Sequence, residues 1–203
     1  MTGSKQQSRN AGFLSPDELA ELEFAHLGRG VRIHSTCVLV NTQNMSIGDG
    51  VRIDPFSLLS AGDRIEIGSH VHVATQCILT GSAPIFMGDF SGMSHGARLL
   101  SASDDFVGAC LSGPSVPDTY RNVTARPITL ARHAVIGAGT VVLPGAVLEE
   151  GATVGALSLV VKTLAAWTVY AGRPARPLTA RDREGVLEAE RRFLRDSAHG
   201  ASV

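Results

Sequence analysis

The chain reads as an all-β solenoid, a parallel β-helix, and three observations predict it. Aliphatic residues recur at six-residue steps, a small or β-branched residue follows most of them four positions on, and only ten of 203 residues are aromatic. From Leu27 the aliphatic set runs Leu27, Ile33, Leu39, then Ile47, Ile53, Leu59, then Ile67, Val73, Leu79 and Met87, Met93, Leu99. Each triplet begins twenty residues after the last, which is three hexapeptides plus two extra residues. After a gap the phase resumes at Leu130 and holds through Ile136, Val142, Leu148, Val154 and Val160.

The second register carries Val31, Cys37, Val51, Ser57, Val71, Cys77, Ser91 and Ala97, then Ala134, Thr140, Ala146, Ala152 and Ser158. In a strand, residues two apart share a face, so the small residue and the aliphatic residue both point inward around one outward residue. The next positions form a turn, where Gly48, Gly68, Gly88 and Pro55 or Pro144 are suited. Three strands and three turns close one coil, and stacked coils pair equivalent strands about 4.8 Å apart. One coil cannot shield its interior, whereas a stack can. Aromatic side chains would overfill so narrow a prism. A helix would instead repeat its apolar residues every 3.6 positions, and each interior glycine would cost it about 1 kcal/mol.

The flanks have a different texture. Ser15-Pro16-Asp17-Glu18 is a capping box with proline at the first helical position, ahead of Leu19, Leu22 and Ala25, so residues 1–26 give a tail and a capping helix. Residues 27–177 form the prism, and residues 178–203 a C-terminal helix and tail. That helix is expected from Thr179 to about Asp196, with Val186, Leu187, Phe193 and Leu194 at helical spacing and Glu188 four before Arg192. Its apolar side requires either its own prism or a neighbouring subunit. Met1 to Asn10 and His199 to Val203 are expected to be disordered.

Composition narrows the function. Lys and Arg number 18 against 19 Asp and Glu, a formal charge of -1, which gives no general grip on nucleic acid. Three cysteines without CxxC spacing offer neither a zinc knuckle nor a redox pair. Cys37 and Cys77 lie two coils apart, roughly 10 Å, too far for a disulfide. No apolar run reaches eighteen residues and the first ten hold no signal-peptide core, so a cytoplasmic chain without membrane insertion is expected.

The hexapeptide phase breaks between Leu99 and Leu130, in a loop of residues 100–129 rich in Ser, Asp, Pro and Gly. Such a long arm in a compact protein is often functional. It carries Asp104, Asp105, Tyr120, Arg121 and Asn122, and His95 stands on the turn before it.

The repeats, this arm and the closing segment Trp167-Thr168-Val169-Tyr170-Ala171-Gly172-Arg173-Pro174-Ala175-Arg176 resemble the left-handed β-helix acyltransferases over roughly Leu27 to Pro177. The resemblance implies the left-handed turn, which the crossover-handedness rule alone would not. It also implies a homotrimer with acetyl-CoA as cosubstrate in the cleft between prisms. Arg173 stands where that family commonly has Asn, and Ala165-Ala166 where two prolines are common. Phe90-Ser91-Gly92-Met93-Ser94-His95, Ser103-Asp104-Asp105-Phe106 and Pro117-Asp118-Thr119-Tyr120-Arg121-Asn122-Val123 resemble enzymes that acylate sugars or nucleotide sugars for surface polysaccharides.

Acyl transfer from a thioester requires a base, oxyanion donors and a groove that aligns two substrates. It requires no metal. Among seven histidines, His95 has the best placement for the base, since imidazole titrates near working pH. His26 and His199 lie in the flanks, His34, His70 and His133 in turns of regular coils, and His72 points outward on a strand where it can line a groove for substrate. Asp104 and Asp105 stand roughly where family members carry a catalytic histidine. They are candidates to orient an imidazole, attract a substrate ammonium or act as the base, or to anchor the arm in an Asx-turn. Tyr120 and Asn122 are candidate partners for sugar hydroxyls. Backbone groups of Gly137, Gly155 and Ala156 can bond the pantetheine amides, one N–H serving as oxyanion donor, and Lys162, Arg173 and Arg176 can pair with CoA phosphates. Two other readings compete: a zinc-dependent carbonic anhydrase of the gamma type using His70, His72 and His95, and a non-catalytic scaffold.

Overall fold

The computed structural model describes residues 12–108 and 110–198; the tails expected to be disordered lie outside the described residues. Three parallel sheets wrap a single core. The first face holds His26–Leu27, Met45–Ile47, Ile65–Ile67, Ile85–Met87, Ile128–Leu130 and Val147–Leu148. The second begins with Arg32–Ile33, Arg52–Ile53, His72–Val73, Gly92–Met93, Val135–Ile136 and Thr153–Val154. The third holds Val38–Val40, Leu58–Ala61, Ile78–Gly81, Arg98–Leu100, Val141–Val142 and Leu159–Val160. Strand partners stand twenty residues apart before the arm, as Arg52↔His72, and eighteen apart after it, as Val135↔Thr153.

Burial follows the two registers. Ile53, Leu79, Leu99, Leu130, Val142 and Val160 are fully enclosed, and Ser57, Ala97, Ala134, Thr140 and Ala152 share the interior with them. Each large aliphatic side chain so placed contributes roughly 1.5–3 kcal/mol. Leu27 and Leu39, in the end coil, are only partly buried; Leu14, Leu22 and Phe24 of the N-terminal segment pack against the same end. The helix there, α1 (Pro16–Ala20), has the predicted capping box: the Ser15 hydroxyl accepts from the Glu18 N–H and the Glu18 carboxylate accepts from the Ser15 N–H. Cys37, Cys77 and Cys110 are all free thiols, and burial pushes Cys77 up to about 11.

The glycine that follows the first-face aliphatic residue has a packing cause. A Cβ on Gly28, Gly48, Gly68 or Gly88 would stand 2.4–2.7 Å from an atom of the next coil, closer than real contacts allow.

At the C-terminal end, Thr168–Ala171 extends the second face, and the chain doubles back so that Arg176–Ala180 pairs antiparallel with it. This corrects the expected helix from Thr179: Thr179 and Ala180 are strand, and the helix α2 is Arg183–Ala198. All five residues of the returning strand are exposed. Backbone pairing alone holds it, so it leaves no apolar period to read. Glu188 pairs with Arg191 and Arg195 rather than with Arg192. The partner of α2 is its own prism, at the first corner, where the first face turns into the second. His70, Phe90, His133 and Trp167 occupy equivalent turn positions there, all with φ of 52–60°. The His70 and Phe90 rings stack at 5.0 Å and those of Phe90 and His133 at 5.4 Å, while Phe193 of α2 meets His70 edge-on at 4.9 Å. His133 is therefore buried, not a solvent-facing turn residue. Its Nε2 bonds Glu190 of α2 at 3.1 Å, and Glu190 also pairs with Arg132.

Candidate active site

The second corner, where the second face turns into the third, gathers His95 with the expected cofactor contacts Gly137, Gly155, Ala156 and Arg173. Gly139 N–H donates to the His95 carbonyl at 2.9 Å, Leu157 N–H to that of Ala138 at 2.8 Å, and the Arg173 Nε to that of Leu157. His95, Ala138 and Ala156 thus follow one another down successive coils, with Gly137 and Gly155 one position earlier in theirs and Arg173 at the far end. His95 and Ala156 are exposed.

The glycines in this column need correction as donors. Gly137 N–H already donates to the Val154 carbonyl at 2.7 Å and Gly155 N–H to that of Tyr170 at 2.8 Å. A Cβ on Gly137 would stand 2.5 Å from Ala156 N, so coil packing explains that glycine. Ala156 remains the candidate backbone contact. Arg176 is exposed on the returning strand beside Ala171, whereas Lys162 lies past the third face, on the third corner. Lys162 and Arg173 therefore do not form one phosphate-binding group.

On the second face, a pocket of about 460 Å³ is lined by His70, His72, Phe90, Gly92, Ser94 and His95, among others. Residues from the first corner, the face and the second corner thus meet in it. His72 Nε2 bonds Asp54 Oδ2 at 2.7 Å, and Arg52 Nε donates to Asp54 Oδ1 at 2.7 Å. An ionised carboxylate only accepts, so the imidazole proton lies on Nε2. Burial would raise the Asp54 carboxyl, but the hydrogen bonds from His72 and Arg52 outweigh it and hold it below its ordinary value. Ser94 was legible only within a longer motif; its place beside His72 and His95 is a product of the fold.

The arm leaves the third corner after Ser101 and returns at Arg126, whose N–H donates to the Ser101 carbonyl at 3.0 Å. Ala102–Ser103 and Thr124–Ala125 pair antiparallel at its base. Asp104 and Asp105 part company here. Asp105 Oδ1 accepts from Val107 N–H at 2.8 Å, the Asx-turn alternative. Asp104 accepts from Gly113 N–H and from Arg121, both at 3.1 Å, and Arg121 also holds Asp118. A cavity of about 690 Å³ beneath the arm is lined by Gly81, Ala102, Asp118, Arg121 and others. Tyr120 and Asn122 are exposed on the arm. Within one chain, then, Asp118 and Arg121 of the arm and the His72–Ser94–His95 group line different cavities.

Known proteins place this architecture. The chain is 34% identical over 182 residues to the dTDP-4-amino-4,6-dideoxy-D-glucose acyltransferase of Escherichia coli, covering 89% of this chain and 94% of that one. The chain belongs to the hexapeptide-repeat, left-handed β-helix acyltransferase family. An aspartate-to-asparagine variant of AntD, an N-acyltransferase from Bacillus cereus solved with dTDP and coenzyme A, superposes with a TM-score of 0.88 at 37% identity, covering 91% of this chain and 99% of that one. AntD with dTDP and 3-hydroxybutyryl-CoA gives 0.87 at 36% identity over 93% and 99% of the two chains. A maltose O-acetyltransferase from Clostridium difficile, at 18% identity and a TM-score of 0.55, shares the fold alone. No family model matches the chain.

The carbonic anhydrase alternative fares worse: among the described residues no group of three or more His, Cys, Asp or Glu is placed to hold a metal ion. His70 is committed to the aromatic stack and His72 to Asp54. No helix among the described residues is long and apolar enough to cross a membrane.

Proposed function

We propose that the protein transfers an acetyl group, or a short acyl group of the same kind, from its CoA thioester to the amine or hydroxyl of a nucleotide-linked deoxysugar. The observation that carries this reading is the pocket shared by His72, Ser94 and His95 directly above the Ala156–Arg173 column. A pantetheine lying along that column brings its thioester to the pocket, and Arg173 stands at the far end to meet the CoA phosphates. The acceptor nitrogen or oxygen then attacks the thioester carbon. The new C–N or C–O bond forms, the C–S bond breaks with its electron pair going to sulfur, and the acceptor's surplus proton passes to His95 or to an arm carboxylate and from there to the leaving thiolate.

The reading also takes the active molecule to be a homotrimer acting in the cytoplasm, where CoA thioesters and nucleotide sugars are made. The third face exposes Val38 and Val40, and the second corner exposes Phe56 and Leu157, an apolar surface suited to a neighbouring prism. A neighbour packed there can deliver its arm, with Asp104, Tyr120 and Asn122, to this chain's His95. AntD has been solved with substitutions at one serine and one aspartate that stand ten residues apart in its chain. Ser94 and Asp104 stand ten residues apart here, which supports Asp104 and adds Ser94 to the reacting group.

The test is thiol release from acetyl-CoA and 3-hydroxybutyryl-CoA in the presence of dTDP-4-amino-4,6-dideoxyglucose and of hydroxyl-bearing nucleotide sugars. Acceptor-dependent release is expected, and His95→Asn should lower turnover by about 10²–10⁴ if it takes the proton. No acceptor-dependent release with any of them would refute the reading.

A further inference from the structure

The outward positions of the second face form one column in register: Arg32, Arg52, His72, Gly92, Val135, Thr153 and Val169. Gly92 alone in this column lacks a side chain. Nothing in the backbone requires glycine there. Its φ is not positive, and a Cβ would meet only the His72 carbonyl oxygen, at an ordinary 3.5 Å. That contrasts with Gly48 or Gly137, where a Cβ would strike the next coil. Glycine inside a strand also weakens it relative to a residue with a side chain. What the glycine provides is room: it floors the pocket walled by His70 and Phe90 on one side and by Ser94 and His95 on the other, with His72 above.

The charge next to this dent points to its occupant. One coil above His72 stands Arg52, held by Asp54, and one coil above that stands Arg32, its guanidinium 4.3 Å from the centre of the Phe13 ring. Coil spacing of about 4.8 Å lays these cations in a row leading away from the pocket. Guanidinium groups match phosphate geometry, and an aromatic ring offers a stacking surface. The thioester, by contrast, approaches from the opposite direction, along the coils after His95.

We infer that Gly92 is a specificity-determining residue: its missing side chain seats the sugar ring of the acceptor, and the attached diphosphate runs up the second face to Arg52 and Arg32. The ring rests against the Phe90 side, with its polar substituents toward His72, Ser94 and His95. Asp54 is a positioning residue that fixes both Arg52 and His72. This inference rests on the nucleotide-sugar reading above and assigns the half of the site that takes the acceptor.

Calorimetric binding of two probes to the full-length protein, dTDP and dTDP-4-amino-4,6-dideoxyglucose, separates the parts. Gly92→Val should bind dTDP within about twofold of wild type but the nucleotide sugar about tenfold or more weakly, as overfilling of a fitted pocket predicts. Its melting temperature should be no lower than that of wild type, since the strand gains a β-branched residue into open space. Arg32→Gln should weaken both probes by a similar factor. Equal affinity of Gly92→Val for the whole nucleotide sugar overturns the proposal. A change confined to preference between acetyl-CoA and 3-hydroxybutyryl-CoA also overturns it, by assigning the dent to the acyl chain. Wild-type protein that binds neither probe overturns the nucleotide-sugar reading itself, a result distinct from either of these.

Discussion

Removing the Glu190 carboxylate tests how α2 is held to the prism, and so how the aromatic wall of the pocket is kept in place. Glu190 is the buried anion of α2, with its side chain 5% exposed, bonded to His133 at 3.1 Å and paired with Arg132. In Glu190→Ala the His133 ring, itself buried, loses its partner, which costs about 1–3 kcal/mol. Arg132 is 43% exposed and recovers water, so its share stays below about 1 kcal/mol. A total near 2–3 kcal/mol corresponds to about a 30- to 150-fold larger opening equilibrium for the helix. Val186 and Phe193 still pack on the corner, so the helix loosens without leaving. Amide hydrogen exchange reads this directly: protection factors across Val186–Phe193 should fall by that factor while those of the inner strands hold. The pH dependence has a definite sign. Burial would raise the Glu190 carboxyl, but hydrogen bonds from Arg132 and His133 outweigh it and hold it below its ordinary value. A depressed carboxyl stabilises fully above its unfolded value and loses that contribution as pH falls through the folded one. Protection of α2 in wild type should therefore fall as the pH drops below the ordinary glutamate value of about 4.3. Exchange in α2 that is unchanged by Glu190→Ala at neutral pH would refute this account of docking.

Three further outcomes follow from the site. If the arm serves a neighbouring prism, mixed trimers of inactive His95→Asn and inactive Asp104→Asn chains should regain a fraction of wild-type turnover, whereas a site built within one chain would regain none. Arg173→Gln should raise the KM for acetyl-CoA several-fold, about 1 kcal/mol for a lost exposed phosphate contact, while Lys162→Ala leaves it within about twofold. Gly137→Ala should lower stability by about 1–3 kcal/mol through its clash with Ala156, seen as a lower melting temperature even in the absence of ligands.

Much of the fold was legible because the prism imposes one rule on every coil. An inward position that must be apolar, and another that must be small, recur too often to be read as anything else, and the interruption at Leu99 marked the arm. The capping box at Ser15 was equally readable, since its two hydrogen bonds lie within four residues. What escaped was long-range or carried by backbone alone. Arg176–Ala180 forms a strand with no side chain buried, so no period announces it. His133 looked like any polar turn residue; its burial depends on Glu190, fifty-seven positions away. His70, Phe90 and His133 did share a turn position, a signal that the count of coils contained. The site divides in the same way. His95, Ala156 and Arg173 fell in one column because coil phase predicts columns. Lys162 did not, because two residues past the third face is a different corner.

The corners themselves favour laying the proposed thioester along the second. The two extra residues of each early coil all fall between the third and first faces, as from Leu59 to Ile67, and the arm is inserted at that same corner. That edge widens, sprouts the arm and then narrows. The first and second corners keep six-residue steps from beginning to end, so only they present straight edges along which an extended pantetheine can lie. Of these two, the first is covered by α2 through Glu190 and Phe193. The second is the straight edge left open, and it is the one that leads to Ser94 and His95. Asp104 is pinned by Arg121 on the arm, which leaves the prism at the third corner, so the proposed active centre, using both Asp104 and His95, draws them from two copies of the chain.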